Sequence, residues 1–306
     1  EQVMNAGDIR WSLPRLVYHL EDLRVGMSYP NYYIARLASK FVKVCLQGTG
    51  GDELFGGYPW RYYKIFDSLS QKDFFDQYYD FWQRLVPDSE KKELFTQGVL
   101  DRIDLQVPRG VFERVFTFND KLKYNTPQDH INNSLYFEIK TFLSSLFLVG
   151  DKLSMAHGLE ERFPFMDNDL VDFAMKIPVE HKLGNLQGEI DRIDENSERK
   201  KKIYREYDDR KNILRKAMQD YIPEKIINRK KQGFSAPDES WYRGENATYI
   251  RELLLDSETR STEFISKDYI EKIVNEHLEE GKNHRLLIWS FLNFEWWCRI
   301  FLNNDQ

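Results

Sequence analysis

Apolar residues recur at about helical spacing along most of this chain, and one short stretch breaks the rule. Residues 11–41 carry the helical period with an interruption at Tyr29-Pro30, after which Tyr33, Leu37 and Phe41 continue it. The same period predicts helices within 68–105, 129–158, 168–176, 199–221, 239–255 and 267–301. Residues 42–47 differ. Val42, Val44, Cys45 and Leu46 make a β-branched, apolar run suited to a short buried strand. It ends on Gly48, Gly50 and Gly51, with Gly56-Gly57 close behind. A buried strand feeding a glycine-rich loop is a common layout of nucleotide sites in parallel α/β folds. Little strand pattern follows Tyr58, and one strand cannot make a sheet. Residues 1–57 are therefore expected to form the carboxyl-terminal edge of an α/β nucleotide-binding unit whose other strands lie upstream of Glu1. Residues 58–306 are expected to be mostly helical.

Composition narrows the class. With 306 residues and 41% apolar content the chain can bury a substantial core. A net charge of -6 argues against a general nucleic-acid binder, while leaving room for a small basic pocket that receives phosphate. Cys45 and Cys298 are far apart within apolar stretches, which predicts core thiols in a reducing, cytoplasmic setting and no disulfide framework. No apolar run approaches the ~18 residues a membrane helix requires. The chain opens on Glu1 without a methionine, which raises the expectation of a piece of a longer polypeptide. Residues 187–215 are the most charged stretch and read as a solvated helix or a mobile excursion.

Three clusters carry chemistry. In the first, residues 46–58, glycines at 48, 50 and 51 let backbone amides approach an anion closely, because no Cβ intervenes. Asp52 beside them suits Mg²⁺, which usually takes one or two carboxylates plus phosphate oxygens. The second, residues 149–167, reads as a helix end, then Glu160 and Arg162 poised to pair, then a proline-bounded turn, with Asp151 near its start. Scaffolding is the favoured reading there, and His157 receives no catalytic role. The third runs from Leu214 to Pro237 and places Arg229, Lys230 and Lys231 ahead of Gly233. On its own it reads as a solvated basic turn.

These clusters resemble the synthetase domain of the asparagine synthetase family. The first matches Ser-Gly-Glu-Gly-(Ser/Gly)-Asp-Glu-(Leu/Val)-Phe-Gly-Gly-Tyr at Gly48, Gly50, Asp52, Glu53, Phe55, Gly56, Gly57 and Tyr58. The second departs from the family pattern by Lys152 in place of arginine, and the third matches throughout. The resemblance covers nearly the whole chain in the family's order. It implies an adenine nucleotide α-hydrolase-like fold with a parallel sheet. It implies ATP and Mg²⁺, a carboxylate substrate that is adenylated, and ammonia from glutamine as acceptor. Asp52 would hold the metal, and Gln47, Gly48, Gly50 and Gly51 would wall the nucleotide site. Lys231 would stabilise charge as pyrophosphate leaves. Thr49, Glu53 and Tyr58 would face the substrate or intermediate, with Asp151, Glu160, Arg162 and Arg229 in support.

The family's phosphate loop and its glutaminase domain are expected upstream of Glu1, so the chain alone should not turn over ATP. Thr49 stands where asparagine synthetases carry glutamate, and a hydroxyl cannot act as the same base near neutral pH. A same-fold ligase or cyclase therefore stays open beside an asparagine-forming enzyme, with a non-catalytic remnant the least favoured. A homodimer is also left open.

Overall fold

The computed structural model describes residues 1–23, 28–63, 65, 68–184, 210–229 and 238–302. Two helices, α1 (Asp8–Leu20) and α2 (Tyr29–Ala38), precede the strand β1 (Val44–Leu46). After the glycine loop come α3 (Gly51–Phe55) and α4 (Pro59–Tyr63). Next are α5 (Gln71–Trp82), α6 (Val107–Thr117), α7 (Pro127–Lys140) and α8 (Phe142–Met155), which leads to β2 (Glu160–Arg162). Beyond it lie α9 (Asn168–Lys176), α10 (Val179–Lys182), α11 (Asn212–Ala217), α12 (Asp238–Arg243) and α13 (Ala247–Leu254). The last two are α14 (Lys267–Leu278) and α15 (Arg285–Phe301).

β2 corrects the expectation that the second cluster is only a helix end and a turn. It pairs in parallel with β1, Val44 opposite Glu160 and Leu46 opposite Arg162. Glu160 N donates to Lys43 O at 2.9 Å and Gln47 N to Arg162 O at 2.8 Å. Glu-Glu-Arg has no apolar alternation, so its backbone is extended because β1 satisfies its main-chain groups. The expectation of a fully buried β1 also fails: Val44 is 47% and Leu46 75% exposed. Helix α8 packs against β2, while Phe41, Val42, Val44 and Leu46 remain exposed.

Helix boundaries follow local chemistry. Thr126 and Asp129 form a capping box around Pro127 at the start of α7, fixing its entry. The predicted helix over 129–158 breaks at Thr141, and that over 267–301 breaks before His284, past the left-handed Gly281. Helix α6, which lies outside the predicted periodic stretches, buries Phe112 and Phe116. These join Phe74, Phe75, Tyr78 and Phe137 in an aromatic core.

A larger core unites α1, α13, α14 and α15 around Leu16, Ile250, Ile270 and Trp289. The aromatic residues of the last helix are thus largely core, as the pattern predicts. Two smaller clusters anchor the glycine loop: Leu54 and Phe55 pack on Ala174 and Ile177, and Tyr62 on Ile131, Leu135, Val179 and Leu183. Each fully buried side chain of this size contributes about 1.5–3 kcal/mol, so tertiary packing holds the five-residue α3. Cys298 is buried, Cys45 is half-buried, and both are free thiols. Among the described residues no helix is long and apolar enough to cross a membrane. The charged excursion falls largely outside the described residues, over 187–209, but its end includes the buried Arg210.

Candidate functional site

The site is built where the chain leaves β1. Ligands in parallel α/β folds bind beyond the carboxyl ends of the strands, and the loop of residues 47–50 occupies that end. Gly50 has φ +100, a conformation that side-chain-bearing residues rarely adopt, and a Cβ there would collide with Met166 Cε. Asp52 lies in the first turn of α3 with its carboxylate 19% exposed. Gly57 N donates to Asp52 O at 2.7 Å, and any Cβ on Gly57 would strike the Asp52 side chain. Gly57 is therefore the seat of the carboxylate. Replacing Gly57 by alanine should displace Asp52 and cut activity of the full-length protein about tenfold or more. Far-ultraviolet circular dichroism should be unchanged.

Asp52 already faces a cation. Lys211 Nζ lies 2.8 Å from Asp52 Oδ1, carried on a left-handed residue at the start of α11. The position thus stabilises positive charge. Among the described residues no group of three or more His, Cys, Asp or Glu could hold a metal. A divalent ion would take Asp52 from the described residues and its remaining ligands from phosphate and water, the pattern Mg²⁺ prefers. The residues present fit that ion.

Behind the loop lies a buried polar network that the sequence did not reveal. The Tyr58 hydroxyl donates to Glu53 Oε1 at 3.0 Å. Arg61 Nη1 donates to Glu138 Oε1 at 3.2 Å, and the Tyr62 hydroxyl to Glu138 Oε2 at 3.1 Å. The Arg61 guanidinium lies 4.0 Å from the centre of the Tyr58 ring and 4.5 Å from that of Phe142. Burial pushes Glu138 up to about 7 and raises Glu53, although Arg61 opposes both. Burial, reinforced by the Glu53 carboxylate, also lifts the Tyr58 hydroxyl far above its ordinary value. Glu53 and Tyr58 are thereby tied to each other and to α7, which fixes the chain that follows Asp52.

At the strand ends Gln47 Nε2 donates to Glu161 Oε1 at 2.6 Å, and Ser154 Oγ donates to the same oxygen. A Cβ at Gly150 would come within 2.5 Å of Glu161 Oε2, so the small residue on α8 makes room for this carboxylate. Glu161, unmarked in the sequence reading, holds the side chain of Gln47 against β2 and α8. Glu160 and Arg162 do pair, at 2.7 Å, on the exposed face of β2. Asp151 is exposed on α8, Gly48 is exposed and Thr49 is half-buried, while Gly51 is buried against the Phe165 ring.

The third cluster approaches from the α11 side. Arg210 Nη2 donates to Arg229 O at 3.4 Å, and Arg215 Nε to Ile227 O at 3.1 Å. Residues 227–229 are thus tied to the segment that carries Lys211, the partner of Asp52. Arg229 itself is exposed. Lys231 lies outside the described residues. Of the residues that sequence reasoning missed, Lys211 stands just ahead of the Leu214-Arg215-Lys216-Ala217 signal, where a charged run conceals it. Arg61 and Glu138 had no signal, since nothing local marks a charge as buried.

A parallel strand pair thus leads into a glycine loop and a seated carboxylate, the layout of ligand sites beyond the strand ends of α/β folds. The chain belongs to the asparagine synthase family, whose model, described as "Asparagine synthase", matches residues 1–299. It is 29% identical to asparagine synthetase [glutamine-hydrolyzing] 1 of Bacillus subtilis (strain 168), over 94% of this chain and 45% of that protein. It is 24% identical to a putative asparagine synthetase [glutamine-hydrolyzing] of Mycobacterium bovis, over 99% of this chain and 46% of that protein. A fungal relative, amidase chry2 of Gibberella zeae, is 23% identical over 73% of this chain and 36% of its own length. The chain spans about half the length of the first two relatives.

Proposed function

We propose that this chain is the carboxyl-terminal part of an ATP-dependent, amide-forming synthetase. It would adenylate a carboxylate, aspartate or a related acid, and pass the acyl group to ammonia derived from glutamine. The fold would be that of the adenine nucleotide α-hydrolases, with residues 1–57 at the edge of the nucleotide unit and 58–306 as its helical region. The phosphate loop and a glutaminase domain would be supplied by upstream sequence, in a cytoplasmic enzyme. The observation that carries this reading is Asp52, seated on Gly57 beside the left-handed Gly50 at the strand ends and already paired with a cation.

In this reading the main chain at Gly48, Gly50 and Gly51 admits the phosphates. Asp52 holds Mg²⁺, which when bound neutralises phosphate charge. Lys231 is assigned the charge that develops on the departing pyrophosphate. Glu161 keeps Gln47 turned toward β2, and the Glu53–Tyr58 pair fixes the loop exit. Alignment of acid, phosphorus and leaving group supplies much of the remaining rate.

The test is ATP–pyrophosphate exchange by the full-length protein across a panel of acids, aspartate first. Exchange that depends on both acid and divalent metal is expected. ATP binding without exchange for any acid overturns the reading. Thr49 favours a second one, in which the acid or nucleophile differs from that of asparagine synthetases. Exchange with aspartate and unaltered preference in Thr49→Glu would remove it.

A further inference from the structure

An open cavity of about 490 Å³ lies between α1 and α2, lined by Asp8, Trp11, Tyr33, Arg36, Leu37 and Lys40. Its volume suits a small-molecule ligand. The protein carries a net charge of -6, yet two exposed cations, Arg36 and Lys40, meet in this cavity. Among the described residues no carboxylate pairs with either of them. The acid in the wall, Asp8, is already engaged: its Oδ2 accepts from Asn5 N at 2.7 Å in the turn that leads into α1.

The aromatic wall is equally distinctive. Trp11 stands 41% exposed, with the guanidiniums of Arg15 and Arg36 at 4.1 and 5.2 Å from the centre of its ring. The Tyr33 ring is centred 6.2 Å from that of Trp11, and its hydroxyl donates to Asp8 O at 3.4 Å, which joins α2 to α1. Arg36 follows Tyr33 on the same face of α2. Lys40 continues that line in the turn past the helix end, where its N donates to Leu37 O at 3.2 Å. Lys40 stands ahead of β1, whereas the glycine loop leaves the other end of that strand. The cavity is therefore separate from the site of Asp52.

We propose that this cavity is a second ligand site, for a small anion that carries a planar ring, either a nucleoside monophosphate or an aromatic carboxylate. The ring lies against Trp11 and the flat guanidinium of Arg36, a group that stacks on aromatic faces. The anionic group meets Lys40 and the outer N–H groups of Arg36 in charge-assisted hydrogen bonds. An uncharged ring leaves both cations without a partner, and a bare anion leaves the indole in water, so the site reads both parts together. It does not depend on the synthetase reading.

Amine acetylation of the full-length protein, mapped by mass spectrometry, tests this with Lys40 as its own reporter. In the wild type, AMP or 4-hydroxybenzoate should slow acetylation of Lys40 about fivefold or more. Adenosine and inorganic phosphate at the same concentration should change it by less than about twofold. Protection by AMP alone supports the site with a phosphate-bearing ligand, and by 4-hydroxybenzoate alone with a carboxylate-bearing one. Protection by neither, or equal protection by inorganic phosphate, overturns the proposal. Arg36→Gln should raise the concentration that half-protects Lys40 about 10- to 100-fold, the effect of one charge-assisted hydrogen bond. Trp11→Ala should raise it about tenfold, the effect of one stacking contact. Both variants should keep ATP–pyrophosphate exchange within about twofold of wild type. Half-protection unmoved by either variant, or exchange that falls in step with it, overturns a separate site of this kind. Protection of Lys40 in a protein that shows no exchange for any acid keeps the cavity and removes the synthetase reading.

Discussion

Replacing Asp52 by asparagine in the full-length protein should lower ATP–pyrophosphate exchange by about 10²–10³-fold, the cost of removing one preorganised electrostatic contact from a reacting centre. Asparagine keeps the shape of the side chain, so its fit against Gly57 survives. The negative charge does not. Lys211 then loses the charged partner it now meets at 2.8 Å, and a divalent ion would lose the Asp52 carboxylate. Manganese binding followed by electron paramagnetic resonance should weaken in parallel with activity. A variant that keeps exchange within a few-fold of wild type, at limiting metal, would remove Asp52 from the site. The comparison with Gly57→Ala is informative, because that change moves the carboxylate without discharging it.

Truncating Glu138 to alanine should destabilise the protein by about 3–5 kcal/mol, because it removes one partner of the buried Arg61–Glu138 ion pair and the acceptor of the Tyr62 hydroxyl. Glutamine at 138 gives a subtler and more diagnostic result. Burial pushes Glu138 up to about 7 from an ordinary 4.5, with Arg61 opposing the shift. A carboxyl group whose folded pKa lies above its unfolded value contributes its stability in full below about pH 4.5. That contribution is lost as pH rises through about 7, to a limit of about 3 kcal/mol for a difference of this size. Glu53 is raised by burial too and acts in the same direction. Urea denaturation at pH 5 and pH 8 should therefore show wild type losing more stability than Glu138→Gln over that interval. Equal losses in the two proteins would show that Glu138 does not titrate in the folded state.

Much of the loop was legible in the sequence because its chemistry is local. Glycines at 48, 50, 51, 56 and 57 are read as backbone requirements, and the structure meets two of them with positive φ, at Gly50 and Gly56. Asp52 is marked by its neighbours. The aromatic residues of α15 and the paired Glu160 and Arg162 were equally readable, since helical period and charge spacing describe what a residue does within a few positions of itself. The strand β2 was not. Three charged residues in a row carry no strand pattern, and their conformation depends on hydrogen bonds to residues more than a hundred positions earlier.

Charge burial divides the two kinds of information more sharply. By itself the sequence determined the glycine–aspartate loop, the helical periodicity of most of the chain and the resemblance to one family, all of which depend on neighbouring residues. Only the tertiary structure decided that Arg61 and Glu138 share a buried site, that Lys211 faces Asp52, and that Glu161 holds Gln47. Each of these side chains would be taken as solvated from composition alone. Whether a charge meets water, a counter-ion or an apolar wall depends on which distant segments pack around it, and linear spacing carries no measure of that.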